Sequence, residues 1–267
     1  MVMKNQLRTG MANALILSAF VTTSYAQGNG SDVYWHTDPS VKSCSMVIDP
    51  SLTQAQWKTF VKQVGAITTF KSLASAETLG KMNFSVSIDK SYTPVDQRNP
   101  AWINTFTHPD ADCPLGDVVS VPTIRARMGV SENMDIGAYW TKAPNANYGM
   151  VGGEIKYRFS QESEKLPAAA VRGSVTILTG VSDYDLYIYG AEVIASKRIA
   201  MFTPYVGFRE SMVIGIETTS KVNLDTERLF ITQGYAGVTC SVWMFNLAAE
   251  YNVSNVNTLA FAVGVNF

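Results

Sequence analysis

The sequence predicts an all-β fold: an antiparallel up-and-down transmembrane β-barrel of about ten strands, with a short N-terminal helical segment. Three observations predict it. Apolar and polar residues alternate in many long runs, short and long connections alternate between the runs, and an export signal opens the chain. Alternation indicates strands with one apolar face. Most runs reach the roughly 9–11 residues that a tilted strand needs to cross a bilayer, whereas globular strands usually have about 5–6.

Composition narrows the class of protein. The chain has 267 residues, of which 46% are hydrophobic and only 16% are charged, and its formal net charge is −1. Such a balance argues against nucleic-acid binding and against wholesale disorder. No segment of about 18 consecutive apolar residues is present, so no transmembrane helix is expected.

A secretory signal peptide is predicted over residues 1–26. Lys4 and Arg8 precede an apolar core, MANALILSAFV, and Ser24 and Ala26 provide small residues for cleavage. The alternative, a membrane anchor, would need roughly 20 apolar residues. The domain plan is then a signal peptide (1–26), an N-terminal segment (27–79) and an outer-membrane β-barrel (80–267).

The N-terminal segment carries one predicted amphipathic helix, about residues 52–70. Ser51 is the expected N-cap, and Trp57, Phe60, Val61 and Val64 recur at helical spacing. This helix is expected to plug the lumen, to dock beneath the barrel on the periplasmic side or to lie at the membrane interface.

Ten strand-like runs follow the N-terminal segment. They cover about 80–89, 118–130, 133–142, 148–160, 168–179, 186–196, 199–210, 228–240, 242–253 and 257–267. Longer loops are expected at 90–117, 143–147, 180–185 and 211–227, and the remaining connections are shorter. Outer-membrane barrels have short periplasmic turns and longer external loops.

The alternative fold is a soluble, periplasmic β-sandwich, which also shows apolar-in, polar-out strands. Long strands and large aromatics near strand ends, such as Trp140, Phe208 and Trp243, favour the membrane because they form the interfacial girdles of barrels. Glycines on the polar face suit a narrow lumen.

The ending LAFAVGVNF resembles the C-terminal sorting strand of Gram-negative outer-membrane β-barrel proteins. Its outward set is Leu259, Phe261, Val263, Val265 and Phe267. The resemblance implies an outer-membrane location and delivery by the barrel-assembly machinery, with outer-membrane lipid and lipopolysaccharide as surroundings. The stretch 117–208, with PTIRARMGVSENMDIGAYW and GGEIKYRF, is similar to a group of proteobacterial barrel proteins. This similarity implies no activity.

The face opposite the apolar band is assigned to the lumen. It holds Arg125, Arg127, Asp135, Glu154, Lys156, Arg158, Arg172, Glu192, Arg209 and Glu250. These charges are expected either to pair across the lumen and hold the barrel closed, or to line a narrow path that favours anions.

Other candidate sites are few. Cys44 and Cys113 form the expected disulfide, which would require the N-terminal segment to thread the lumen. His36 and His108 are read as turn residues rather than catalytic bases, and no catalytic, metal or cofactor motif is present.

The leading hypothesis is therefore a small channel or transporter for small polar or amphipathic solutes. The alternatives are a closed structural or interaction barrel that presents its loops to partners, and a more distant one, a surface hydrolase. An enzyme is not expected. A protein partner or oligomer is left open, as is the solute.

Overall fold

The computed structural model describes residues 45–96, 98–107, 118–142 and 147–267. Within them the chain forms a closed barrel of ten antiparallel strands, a two-stranded sheet and two helices. The predicted fold class and strand number are confirmed. No helix in these ranges is long and apolar enough to span a membrane.

The described residues form the following strands and helices, in chain order. They are β1 (Ser45–Met46), α1 (Gln54–Thr68), β2 (Phe84–Pro94), α2 (Pro100–Ile103), β3 (Phe106–Thr107), β4 (Val118–Ser131), β5 (Met134–Lys142), β6 (Gly149–Ser160), β7 (Ala168–Thr179), β8 (Tyr184–Ser196), β9 (Phe202–Glu217), β10 (Glu227–Val242), β11 (Phe245–Val253) and β12 (Thr258–Asn266).

Each barrel strand pairs with the barrel strand that precedes it in sequence, and β12 closes the ring against β2. The closing register runs from Leu259 opposite Tyr92 to Asn266 opposite Ser85. We call the end with connections 132–133, 161–167, 197–201 and 243–244 the turn end. The end with connections 95–117, 143–148, 180–183, 218–226 and 254–257 is the loop end.

The outer face of the barrel is apolar along most strands. Ile124, Trp140, Ile155, Val193 and Phe208 are each about half exposed. The sorting-strand residues Leu259, Phe261, Val263, Val265 and Phe267 also face outward, opposite the buried Ala260 and Ala262.

Charged residues interrupt the outer face at several places, and Lys90 and Glu210 are two of them. Lys90 lies over the Tyr92 ring, with its ammonium nitrogen 5.2 Å from the ring centroid. Glu210 accepts a hydrogen bond of 2.7 Å from the Thr232 hydroxyl. Each charge is therefore partly satisfied by a neighbouring side chain.

Residues 45–79 run through the inside of the barrel, and we call them the lumen segment. At the loop end, β1 pairs with β3. Helix α1 then packs against the inner faces of β8, β9 and β10. Residues 69–79 continue to the turn end without regular secondary structure.

The N-cap and the buried apolar stripe both favour helix α1. Thr53 is the N-cap and forms a capping box with Gln56, so the expected Ser51 cap is wrong by two residues; Ser51 instead donates to Asp49. The helix covers 54–68 within the predicted 52–70. Trp57 and Phe60 are almost completely buried.

The helix approaches the wall closely where glycine faces it. A Cβ placed on Gly215 of β9 would lie 2.6 Å from a Val61 methyl carbon and 3.1 Å from the Trp57 ring. On the helix, a Cβ on Gly65 would lie 2.6 Å from Val213. Because neither glycine has a Cβ, the wall at Gly215 can approach Val61 and Trp57, and the helix at Gly65 can approach Val213.

The boundaries of two predicted strands are corrected. The first barrel strand covers Phe84–Pro94 rather than 80–89, so it continues into the loop predicted at 90–117. It begins later than predicted because residues 80–83 turn, with positive φ at Gly80 (85°) and Met82 (65°). β9 extends to Glu217, into the loop predicted at 211–227. There the inner face contacts helix α1 and is apolar as well, so the alternation disappears.

Candidate functional site: the charged lumen

A belt of ion pairs crosses the middle of the lumen. Arg125 contacts Asp89 at 2.7 Å, and Arg172 contacts Glu154 at 3.0 Å and Glu192 at 2.7 Å. On the far side of Glu192, the Arg209 Nε donates to its other carboxylate oxygen at 2.6 Å. Because these side chains are nearly inaccessible to solvent, each charge depends on its partners.

A second tier lies closer to the turn end. Lys156 contacts Asp135 at 3.1 Å, and the Arg127 Nε lies 3.4 Å from Glu154. Arg158 pairs with Glu77 of the lumen segment. The tier therefore joins the wall to the lumen segment as well as strand to strand.

Charged side chains supply the hydrogen-bond partners of the irregular part of the lumen segment. Glu250 accepts from the Ser72 amide at 3.2 Å and from the Leu73 amide at 2.7 Å. Arg125 donates to the Ser72 carbonyl at 3.1 Å. A backbone without regular secondary structure must find such partners when buried, and charged ones bind more strongly than neutral ones.

Phe70 inserts its ring between two of the belt cations. The guanidinium carbons of Arg125 and Arg172 lie 4.3 and 5.2 Å from the ring centroid, and the Tyr139 ring is 5.0 Å away. Cation–π contacts of this kind gain strength when the partners are desolvated. The ring thereby fixes the lumen segment at the level of the belt.

Small cavities lie beside helix α1 among the residues that the structure describes. Two cavities there have volumes of about 30 Å³ each, one apolar beside Val64 and Trp102, the other beside Phe70 and Arg125. A cavity of this size holds one or two water molecules. A larger cavity, about 520 Å³, lies at the turn end below the belt.

The structure places all ten sequence-predicted lumen residues on the inner face and brings nine into ion pairs. The tenth, Glu250, accepts hydrogen bonds from Tyr205 (2.9 Å) and Asn252 (3.0 Å) as well as from the lumen segment. Sequence reasoning missed Asp89 and Glu77. Asp89 fell at the end of a misplaced run, and Glu77 lies outside any strand.

Several sequence predictions concern residues outside the described ranges. The signal peptide, the Cys44–Cys113 disulfide and both histidines, His36 and His108, lie there, and these stay predictions. Within the described ranges Cys240 of β10 is a free thiol, and no group of three or more metal-ligating residues occurs. The prediction that the chain is not an enzyme also stays a prediction.

No protein-family model matches the chain, and no curated protein matches it. Solved structures similar in fold include an outer-membrane channel from Pseudomonas putida F1, with 10% identity, TM-score 0.46 and coverage of 74% of this chain and 100% of that chain. Another is Neisserial surface protein A, with 15% identity, TM-score 0.28 and coverage of 68% and 95%.

A third is Ail, the attachment invasion locus protein of Yersinia pestis, with 12% identity, TM-score 0.22 and coverage of 70% and 99%. The fold that the resemblance to Gram-negative outer-membrane β-barrels implies is confirmed by the closed ten-stranded antiparallel barrel itself. These likenesses concern the fold alone.

Proposed function

We propose that the protein is an outer-membrane β-barrel held closed at rest by its own lumen segment, with its function at the loop end rather than through an open pore. The observation that carries this proposal is the lumen segment itself. Its helix fills the upper lumen, and its lower part is bonded to the ion-pair belt.

The apolar outer face supports the outer-membrane location. Exposed apolar side chains on successive strands form a continuous band, and aromatic residues such as Phe202, Trp243 and Phe267 lie near the turn end. Lipid, lipopolysaccharide and the barrel-assembly machinery are then the expected partners. In this orientation the turn end faces the periplasm and the loop end faces outward.

The packing of helix α1 makes the closed state strongly favoured. Trp57, Phe60, Val61, Val64 and Ile67 are each at most 3% exposed. Burying one such side chain contributes about 1.5–3 kcal/mol, so withdrawing the helix into water costs about 7–15 kcal/mol as an upper value. At the lower figure about one molecule in 10⁵ is unplugged, and because the cost is an upper value this fraction is a minimum.

Contacts at the loop end fix the start of the lumen segment to the rim. The Asn147 side chain bonds both the amide and the carbonyl of Met46, and Asp183 accepts from the Ile48 amide at 2.9 Å. Gln54 bonds the Asp225 backbone at 2.8 Å. The rim and the lumen segment therefore form one surface available to an external partner.

A second candidate function, a gated channel for small polar solutes, is favoured by one observation. Residues 69–79 are held mainly by polar and charged contacts, which water can replace when the segment moves, and the cavity of about 520 Å³ already lies beside them. Displacement of this part would open the lower lumen while helix α1 stays in place.

Planar-bilayer recording of the purified, folded full chain separates the two. The closed-barrel proposal expects no conductance steps from protein shown to be inserted, and steps only after deletion of residues 27–79. Steady ion-selective steps from the full chain would contradict it. Brief openings that become more frequent when Glu250 is changed to glutamine would favour the gated channel.

A further inference from the structure

Arg127 differs from the other lumen arginines in its bonding. Arg125, Arg158, Arg172 and Arg209 each place terminal guanidinium nitrogens on carboxylate, carbonyl or amide oxygens. Arg127 reaches Glu154 only through its Nε, at 3.4 Å. Among the residues that the structure describes, its two terminal nitrogens have no partner.

This side chain is nevertheless 9% exposed and lies on the wall of the cavity of about 520 Å³ at the turn end. A buried cation with free donors is costly unless an anion or water satisfies it. The cavity is within the size range of small-molecule sites. The free donors of Arg127 thus point to a ligand that accepts hydrogen bonds.

The opposite wall of the same cavity offers further donors. Thr203 and Thr239 are directly cross-strand partners on β9 and β10, and both are more than nine-tenths buried. Within the described ranges neither hydroxyl has a hydrogen-bond partner. Arg198, in the connection between β8 and β9, also lines the cavity, and no described carboxylate lies within ion-pair distance of its guanidinium.

We infer that the turn-end cavity is a binding site for a small soluble oxyanion, a carboxylate or phosphate. The donors available to it are Arg127, Arg198 and the hydroxyls of Thr203 and Thr239, all of which line that cavity. Two guanidinium groups and two hydroxyls suit the planar or tetrahedral oxygens of such anions. The binding chemistry does not rest on the proposed function.

The other cations near the cavity already have anionic partners. Lys156, which also touches the cavity, is already occupied by Asp135 at 3.1 Å and by the Glu77 carbonyl. Glu77 in turn neutralises Arg158. The two cations that remain for a ligand are therefore Arg127 and Arg198.

The test is calorimetric titration of the folded full chain in neutral detergent with inorganic phosphate, and separately with succinate. We expect saturable binding whose Kd rises about tenfold or more in Arg127→Gln and in Arg198→Gln, since each removes charge-assisted hydrogen bonds. Lys197→Gln is the matched control. It removes the same charge one residue away, but Lys197 bonds the carbonyl of Glu164 at 3.2 Å and does not line the cavity.

Arg198 is solvent-exposed, so Arg198→Gln keeps the test valid if the buried Arg127→Gln variant does not fold. Absence of saturable binding by either anion overturns the inference, as does an equal loss of binding in Lys197→Gln. If phosphatidylglycerol added to the micelles competes with the anion, the ligand is a lipid headgroup, and the inference of a soluble ligand is overturned. No effect of that lipid supports the soluble anion.

Discussion

Changing Glu250 to glutamine tests whether its buried carboxylate holds the lumen segment in place. The fully buried carboxylate accepts four hydrogen bonds, from the amides of Ser72 and Leu73, the Tyr205 hydroxyl and the Asn252 side chain. Glutamine keeps one acceptor oxygen and presents an NH₂ group in place of the other. About two buried donors then lose their acceptor, at about 1–3 kcal/mol each. The expected loss is therefore about 2–6 kcal/mol.

Two measurements check this figure. Urea unfolding of the inserted protein gives the change in the free energy of unfolding, and hydrogen exchange reports the Ser72 and Leu73 amides directly. A local loss of 2 kcal/mol corresponds to roughly thirtyfold faster exchange. Glu210→Gln is the control, because that carboxylate faces outward and accepts one bond from Thr232. If Glu250→Gln changes neither quantity more than the control does, the Glu250 carboxylate does not hold the lumen segment.

Three further predictions follow from the packing, the rim and the outer face. Gly215→Ala is expected to lower the free energy of unfolding by about 1–3 kcal/mol through overpacking against the helix, whereas Gly234→Ala, with nothing within 4 Å of the new Cβ, is expected to be near neutral; equal urea midpoints would contradict this. Burial raises the pKa of Asp183, but hydrogen bonds from Lys221 and from the Ile48 amide outweigh this effect and hold the pKa below its ordinary value. The stabilisation is thus present above about pH 4 and lost as pH falls below it. The protection factor of the Ile48 amide, which is its exchange rate corrected for the intrinsic rate at each pH, should therefore fall in acid, and an unchanged protection factor would refute the contact. Val263→Arg places a charge on the lipid-facing side at about 2–4 kcal/mol and is expected to reduce folding into vesicles, measured as protease-resistant yield; full insertion would mean that this face does not meet lipid.

The barrel wall could be predicted from sequence because its two environments differ sharply. In β12, Leu259 and Phe261 face outward while Ala260 and Ala262 face the packed interior, so every second residue reports the same surroundings. The same logic assigned Arg125 and Glu154 to the lumen. It failed in the upper part of β9, where the inner face meets the apolar helix and both faces look alike.

The lumen segment could not be placed in the same way. Its amphipathic helix was recognisable from the spacing of Trp57, Phe60 and Val61, but an apolar stripe does not tell whether it meets a barrel wall, a lipid surface or a partner. Residues 69–79 carry no periodicity at all. Their position depends on contacts with distant residues such as Glu250, and pairings of that kind leave no local pattern.

The path of the lumen segment constrains the order in which this molecule assembles. The segment is tied to the rim through β1 and β3 and continues covalently into β2, the strand against which β12 closes the ring. A finished ring admits no chain from the side, so the segment is enclosed before or while β12 meets β2, or else it must be drawn lengthwise through a narrow, charged interior. Closure of β12 against β2 thus joins parts of the chain that are far apart in sequence, and it encloses the lumen segment within the ring.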